Sequence, residues 1–122
     1  MTAQPFYQLF IDGAWTDGST GQLMETTNPA NGEVWARFAC ASEADVDRAV
    51  RAAARALSDP LWRDMTQTER GKLLYRLADL VEAHAAELGA VETTDSGKLL
   101  AETASQTRYV ADYYRYFAGL AD

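Results

Sequence analysis

The sequence predicts a mainly helical chain that begins with a short antiparallel β-ribbon and continues in three to four α-helices. Three observations support this fold class. Turn residues alternate with short apolar segments up to about residue 41. From Ser42 onward, the apolar residues recur at helical spacing instead. Finally, Gly97 is a good helix stop, and a segment rich in tyrosine and phenylalanine follows it.

The β-ribbon, residues 1–41, is predicted from two hairpins. Asp12-Gly13 suits the left-handed φ values of a tight turn, and apolar residues flank it on both sides. Residues 23–27 are expected to pair with residues 33–39 across a turn at residues 28–32. In that turn proline suits the early positions and Asn-Gly the later ones.

Two capping patterns predict the first helices of the helical part, residues 42–122. Ser42 with Asp45 opens a helix that ends at Asp59-Pro60, and Thr66 with Glu69 opens a second that continues to residues 95–96. The apolar face of the first comprises Val46, Ala49, Val50, Ala53, Ala54 and Leu57. The stripe of the second comprises Leu73, Leu74, Leu77, Val81 and Leu88.

The last helix is expected to begin near Leu99 and to carry apolar residues on several sides. One side holds Tyr109, Tyr113, Tyr116, Phe117 and Leu120. A helix of this kind has to be buried against other elements, so a core helix is favoured over the wall of a small-molecule pocket. Because little chain precedes it, we interpret the sequence as the opening part of something larger.

Composition excludes several functional classes. The 122 residues suffice for one domain, and 18 acidic against 11 basic residues give a net charge of −7, which argues against nucleic-acid binding. No segment has the length of a membrane span, and the first residues lack the features of a secretory signal. The single cysteine, Cys40, rules out an internal disulfide and fits a reducing compartment, so a cytoplasmic protein is expected.

The residues alone assign no catalytic or cofactor-binding group. Cys40 could be a nucleophile, but a small buried residue at a strand end is favoured. His84, the only histidine, could be a ligand or a base, but a partly buried, hydrogen-bonded residue is favoured because no other ligand lies at metal-binding spacing. Gly18 and Gly21 fall between strands, and no phosphate-binding glycine motif occurs.

Several segments, in this order and spacing, carry a resemblance to a known family. They include Phe10-Ile-Asp-Gly-Ala-Trp15, Asn28-Pro-Ala-Asn-Gly-Glu33, Glu92-Thr-Thr-Asp-Ser-Gly-Lys98 and Tyr114-Arg-Tyr-Phe-Ala-Gly-Leu-Ala-Asp122. The chain resembles the N-terminal part of the NAD(P)-dependent aldehyde dehydrogenase superfamily, from about Leu9 to the end. The resemblance implies an α/β family fold in which residues 1–122 form the N-terminal part of the cofactor-binding domain, without the catalytic and oligomerisation parts.

The resemblance also implies an activity, oxidation of a small-molecule aldehyde to a carboxylic acid with NAD or NADP. The family's nucleophilic cysteine, general-base glutamate and dinucleotide glycines lie downstream, and Cys40 does not match the cysteine motif. The isolated chain is therefore expected to be inactive. Its partner would be the remainder of the fold, in a homo-oligomer. The rival interpretation is a stand-alone helical binding or assembly module that docks through the aromatic helix.

Two candidate sites follow from the same resemblance. The backbone carbonyls of Thr26 and Thr27 and the carboxylate of Asp95 match positions that hold a monovalent cation in many members, and oxygen ligands suit such a cation. The alternative, that Asp95 only caps or solvates a helix end, stays open. Ser105 and Tyr109 match the helix that contributes to the wall of the substrate tunnel.

Overall fold

The computed structural model describes residues 4–121, which fall into two compact units. The first unit runs to Arg63 and contains all the strands and two helices; the second begins at Asp64 and contains three helices. No helix in the described part of the chain is both long enough and apolar enough to cross a membrane.

The strands of the first unit form a hairpin and a three-stranded sheet. They are β1 (Phe6–Tyr7), β2 (Leu9–Ile11), β3 (Ala14–Thr16), β4 (Leu23–Thr27) and β5 (Val34–Ala39). The pairs β2–β3 and β4–β5 are antiparallel, which confirms both predicted hairpins. The turn residues Asp12 and Gly13 adopt φ angles of 57° and 76°, as the tight turn requires.

The sequence did not predict the first strand, β1. β1 pairs in parallel with β5, which gives a mixed sheet with the order β1-β5-β4. The Pro5 carbonyl accepts a hydrogen bond from the Arg37 amide at 3.0 Å. A strand of two residues has too little alternation to be recognised from the sequence, and its position depends on a partner about 30 residues away.

Helix α1 (Glu43–Ser58) begins with the predicted capping box. The Ser42 hydroxyl accepts from the Asp45 amide, and the Asp45 carboxylate accepts from the Ser42 amide. Asp59 ends the helix as predicted, but Pro60 then opens a further short helix, α2 (Pro60–Arg63), which suits proline at a first helical position. The large residues of the predicted apolar face lie exposed, including Val50 at 62% and Leu57 at 68%.

The second unit contains α3 (Gln67–Ala83), α4 (Ala85–Ser96) and α5 (Leu100–Gly119). The capping box of Thr66 and Glu69 and the left-handed stop at Gly97, with φ of 75°, are both confirmed. The prediction of one continuous helix to residue 96 is wrong. The helical segment is interrupted at His84, whose ψ of 13° departs from helical geometry, so that α3 ends and α4 begins there. Leucines and valines continue across this break, so the sequence pattern gives no sign of it.

Small residues form the buried contacts between these three helices. They are Gly71, Ala78, Ala85, Gly89, Thr103, Thr107, Ala111 and Ala118. A Cβ placed on Gly71 would lie 2.9 Å from the Ala118 carbonyl oxygen, and one on Gly89 would lie 2.9 Å from the Ala104 Cα. Backbones therefore approach closely, and the predicted leucine stripe lies beside these contacts, with Leu77 40% exposed.

Candidate functional site

Helix α5 presents an aromatic face, here defined as Tyr109, Tyr113, Tyr116 and Phe117. These residues lie at intervals of four, three and one, which brings them to adjoining sides of the helix. Their exposed fractions lie between 52% and 63%. Within this chain the aromatic face is not covered, because the buried side of α5 carries threonine and alanine. The expectation that other polypeptide buries it as a core helix stays a prediction.

The aromatic face borders an open cleft of about 310 Å³, lined by Tyr109, Asp112, Tyr113 and Tyr116. The Tyr109 and Tyr113 rings meet edge to face, with centroids 4.9 Å apart. A hydrogen bond to Tyr109 raises the pKa of Tyr113 above its ordinary value, because it stabilises the protonated Tyr113 hydroxyl. Of the two predicted tunnel residues, Tyr109 lines this cleft, and Ser105 is an exposed residue one helical turn earlier.

A charged cluster joins α5 to α3 beside this cleft. The Arg115 guanidinium forms ion pairs with Glu82 and with Asp79, both on α3, and with Asp112 at 3.3 Å on its own helix. Hydrogen bonds to Glu82 and Asp79 raise the pKa of Arg115 above its ordinary value. These ion pairs connect α5 to α3 along this edge, where the Asp79 and Glu82 side chains are exposed.

The predicted cation ligands Thr26 and Thr27 lie at the end of β4, where the sheet is irregular. Thr26 is opposite Ala36 and Thr27 is opposite Val34, so the register of the two strands shifts between Thr26 and Thr27. A β-bulge of this kind interrupts the hydrogen bonds between the two strands locally and changes the direction in which neighbouring side chains point. The irregularity falls on the two residues whose carbonyls the family resemblance implies as cation ligands.

The third predicted cation ligand, Asp95, lies in the last turn of α4, where its residue is exposed. The carbonyl oxygens at a helix C-terminus carry partial negative charge, so an aspartate there adds to a region that attracts cations. Thr26 and Thr27 belong to the first unit and Asp95 to the second. Their combination into one site stays a prediction.

A pair of threonines that the sequence reasoning missed connects α4 to α5. The hydroxyls of Thr93 and Thr103 hydrogen-bond to each other at 2.8 Å, and Thr103 is fully buried. The spacing of Thr103 and Thr107, four residues apart, could have indicated a polar face on this helix. The interpretation of this helix rested on the tyrosine and phenylalanine residues of the neighbouring face, so the polar face was overlooked.

The single cysteine, Cys40, and the single histidine, His84, each take part in a hydrogen bond within the fold. Cys40 follows β5, is half-buried, and its amide donates to the Gln22 carbonyl at 2.8 Å. His84 is hydrogen-bonded as predicted, to Glu87 at 3.2 Å, but it is exposed, not partly buried. Residues 4–121 contain no cluster of three or more His, Cys, Asp or Glu side chains placed to hold a metal ion.

Comparison with known proteins decides the family. The model of the aldehyde dehydrogenase family matches residues 15–122. The chain belongs to the aldehyde dehydrogenase family. This confirms the resemblance that the sequence motifs carried, and the similarity lies in the N-terminal part of the relatives.

Individual relatives agree in sequence and in fold. One relative is (Z)-2-((N-methylformamido)methylene)-5-hydroxybutyrolactone dehydrogenase of Acinetobacter baylyi, to which the chain is 53% identical over 116 residues. This alignment covers 95% of the chain and 23% of the relative. An NAD-dependent aldehyde dehydrogenase from Sinorhizobium meliloti superposes with a TM-score of 0.91 at 33% identity, over 96% of this chain and 24% of that one.

A betaine aldehyde dehydrogenase from Staphylococcus aureus, solved in complex with NAD+, gives the same TM-score of 0.91 at 34% identity, over 94% of this chain and 23% of that one. The chain thus spans about a quarter of the length of the relatives it matches. The fold expected from the resemblance is confirmed over this span.

Proposed function

We propose that this chain is the N-terminal structural segment of an oxidoreductase that oxidises an aldehyde to a carboxylic acid with NAD or NADP. The family match over residues 15–122 carries the proposal. The aldehyde and the preference between the two cofactors depend on residues outside this segment. The complete enzyme is proposed to be a cytoplasmic homo-oligomer, which is consistent with the single thiol of Cys40.

Within that enzyme, residues 1–122 are proposed to form the N-terminal part of the cofactor-binding domain. The remainder of the polypeptide would cover the aromatic face of α5, which would place Ser105 and Tyr109 in the wall of the substrate tunnel. The exposed rings and the cleft beside Tyr109 support this role. An apolar surface of this kind is otherwise unfavourable in water.

The described residues do not fit a dinucleotide site. A pyrophosphate is bound where a glycine-rich turn leads from a strand into a helix N-terminus. Here the glycines with positive φ lie between strands or, for Gly97, after a helix C-terminus. The turn from β5 to α1, residues 40–42, contains no glycine. The cofactor, which accepts the hydride in this chemistry, would thus be held by other parts of the enzyme.

The chemistry of the donor set does fit a monovalent cation at Thr26, Thr27 and Asp95. All three offer oxygen, from two carbonyls and one carboxylate, which suits a hard and weakly held ion. The β-bulge at Thr26 and Thr27 and the position of Asp95 at a helix C-terminus support the assignment. The ion would neutralise negative charge at the end of α4.

Enzyme assays test the proposed role of the segment. The purified chain, supplied with an aldehyde and NAD+ or NADP+, is expected to give no NADH or NADPH above the blank, because it lacks a nucleophilic cysteine in the family setting. A complete aldehyde dehydrogenase in parallel serves as the control. Cofactor reduction by the chain, freed of contaminating enzyme, would contradict the proposal.

The exposed aromatic face also favours the second candidate, a binding or assembly module derived from this segment. The coding DNA past Asp122 distinguishes the two. A reading frame that continues into a glycine-rich nucleotide motif and a cysteine motif supports the enzyme. A natural stop codon supports the module.

A further inference from the structure

The two asparagines of the chain, Asn28 and Asn31, both lie in the turn that joins β4 to β5. An asparagine loses its side-chain amide when the backbone nitrogen of the next residue attacks its Cγ atom and closes a five-membered ring. The attacking nitrogen has to give up its hydrogen in this step. The residue that follows each asparagine therefore decides whether it can react.

Only Asn31 is followed by a residue that permits this ring closure. Gly32 has no Cβ to crowd the approach of its nitrogen to the Asn31 Cγ. In the described part of the chain, no atom beyond the neighbouring residues lies within 4 Å of the point where a Cβ of Gly32 would stand. Asn28 is followed by Pro29, whose nitrogen carries no hydrogen to release.

The groups that take part in the reaction are exposed but hydrogen-bonded. Asn31 Oδ1 accepts from the Glu33 amide at 3.0 Å, and Asn31 Nδ2 donates to the Glu33 carboxylate at 3.0 Å. The Gly32 amide donates to the Asn28 carbonyl at 2.7 Å. The hydrogen that Gly32 has to release and the nitrogen that has to leave Asn31 are thus both engaged in the folded turn. Asn31, Gly32 and Glu33 are all exposed, so water reaches them.

We propose that Asn31 is a site of spontaneous deamidation and that the hydrogen bonds of its turn slow the reaction until the turn opens. In the first step a bond forms between the Gly32 nitrogen and the Asn31 Cγ, and the bond from Cγ to Nδ2 breaks. Nδ2 leaves as ammonia with the hydrogen that Gly32 gave up. Water then opens the ring at either of its two carbonyls, which leaves aspartate or isoaspartate at position 31.

Both products disturb the turn. Each replaces the amide that donated to Glu33 with a second carboxylate, and like charges this close together repel. Isoaspartate also adds a methylene group to the main chain. Because loop length sets the register of a hairpin, this product is expected to weaken the pairing of β4 with β5. The reaction needs only water and this chain, so it does not depend on the polypeptide that would cover the aromatic face.

Peptide mapping by mass spectrometry, after long incubation of the chain at mildly alkaline pH, tests the proposal. The peptide that contains both asparagines is expected to gain the mass of one amide-to-acid conversion, and fragmentation is expected to assign it to Asn31. Chromatography separates the aspartate from the isoaspartate form. Asn31→Gln is the control, because its longer side chain would have to close a less favourable six-membered ring. This variant is expected to keep its mass over the same period.

The same incubation in urea removes the hydrogen bonds of the turn. Conversion in the folded chain is expected to be roughly fivefold slower than in urea, the effect of about one hydrogen bond. Far-ultraviolet circular dichroism verifies that the chain is folded in buffer and unfolded in urea. An Asn31 that keeps its amide in both conditions, or an Asn28 that converts as fast, would overturn the site. Equal rates at Asn31 in the folded and the unfolded chain would overturn the protective role of the turn alone.

Discussion

At the scale of single residues, Asp45 caps its own helix and also binds Ser19, which lies 26 residues earlier in the chain. Its carboxylate is 1% exposed and accepts from the amides of Ser19 and Ser42, both at 3.0 Å, and from their hydroxyls. The Ser42 contacts could be predicted, because a capping box depends only on spacing within one helix. The Ser19 contacts could not be predicted, because they depend on the path of the loop after β3, which brings Ser19 next to Asp45.

These hydrogen bonds predict a pH-dependent contribution of Asp45 to stability. The Ser19 amide, followed by the Ser42 amide and hydroxyl, lowers the pKa of Asp45 well below its usual range. A carboxyl with a lowered folded-state pKa stabilises the fold above its unfolded pKa of about 3.9, and the contribution is lost progressively as the pH falls below that value.

Asp45→Asn is therefore expected to lower the melting temperature by several degrees at neutral pH, and by less as the pH falls below about 4. Asp47→Asn is the control, because Asp47 lies on the same helix but pairs with Arg51 in solvent, where ion pairs contribute little. A difference between Asp45→Asn and the unsubstituted protein that stays constant from pH 7 to strongly acid conditions would contradict the pKa argument.

At the scale of elements, helix ends could be predicted and helix contacts could not. Ser42, Thr66, Asp59 and Gly97 mark ends through side-chain and backbone preferences that act locally. The break at His84 and the buried glycines have no such local cause. Gly71 and Gly89 matter because another helix passes within touching distance, and a sequence pattern weighted toward leucine overlooks them.

Gly71→Ala and Gly89→Ala are each expected to destabilise the second unit by about 1–3 kcal/mol, because the added methyl group would overlap the backbone of α5. Gly119→Ala is the matched control: its Cβ would lie 3.6 Å from the Tyr75 hydroxyl, an ordinary contact, and alanine favours helix. Urea unfolding of the three variants measures the differences. Equal stability of all three would show that the helices do not pack as closely as described.

At the scale of the whole molecule, both units leave large apolar side chains in solvent. In the first unit the Phe10 and Trp15 rings contact each other at a tilt of 57°, with centroids 4.9 Å apart, while the residues are 60% and 67% exposed. In the second, the aromatic face lies outside a core of alanine, glycine and threonine. The sequence predicted that more polypeptide covers α5, since its apolar residues exceed what one buried side needs. It could not predict which side faces the rest of the second unit.

Hydroxyl-radical footprinting of the aromatic face tests the central claim, that a larger aldehyde-oxidising enzyme covers this surface. Labelling of Tyr109, Tyr113, Tyr116 and Phe117 is compared between the isolated chain and the complete enzyme, with half-buried Tyr114 as the internal reference. We expect strong labelling of all four in the chain and protection of all four in the active enzyme. Equal labelling of the face in both, or protection already in the isolated chain, would contradict the account.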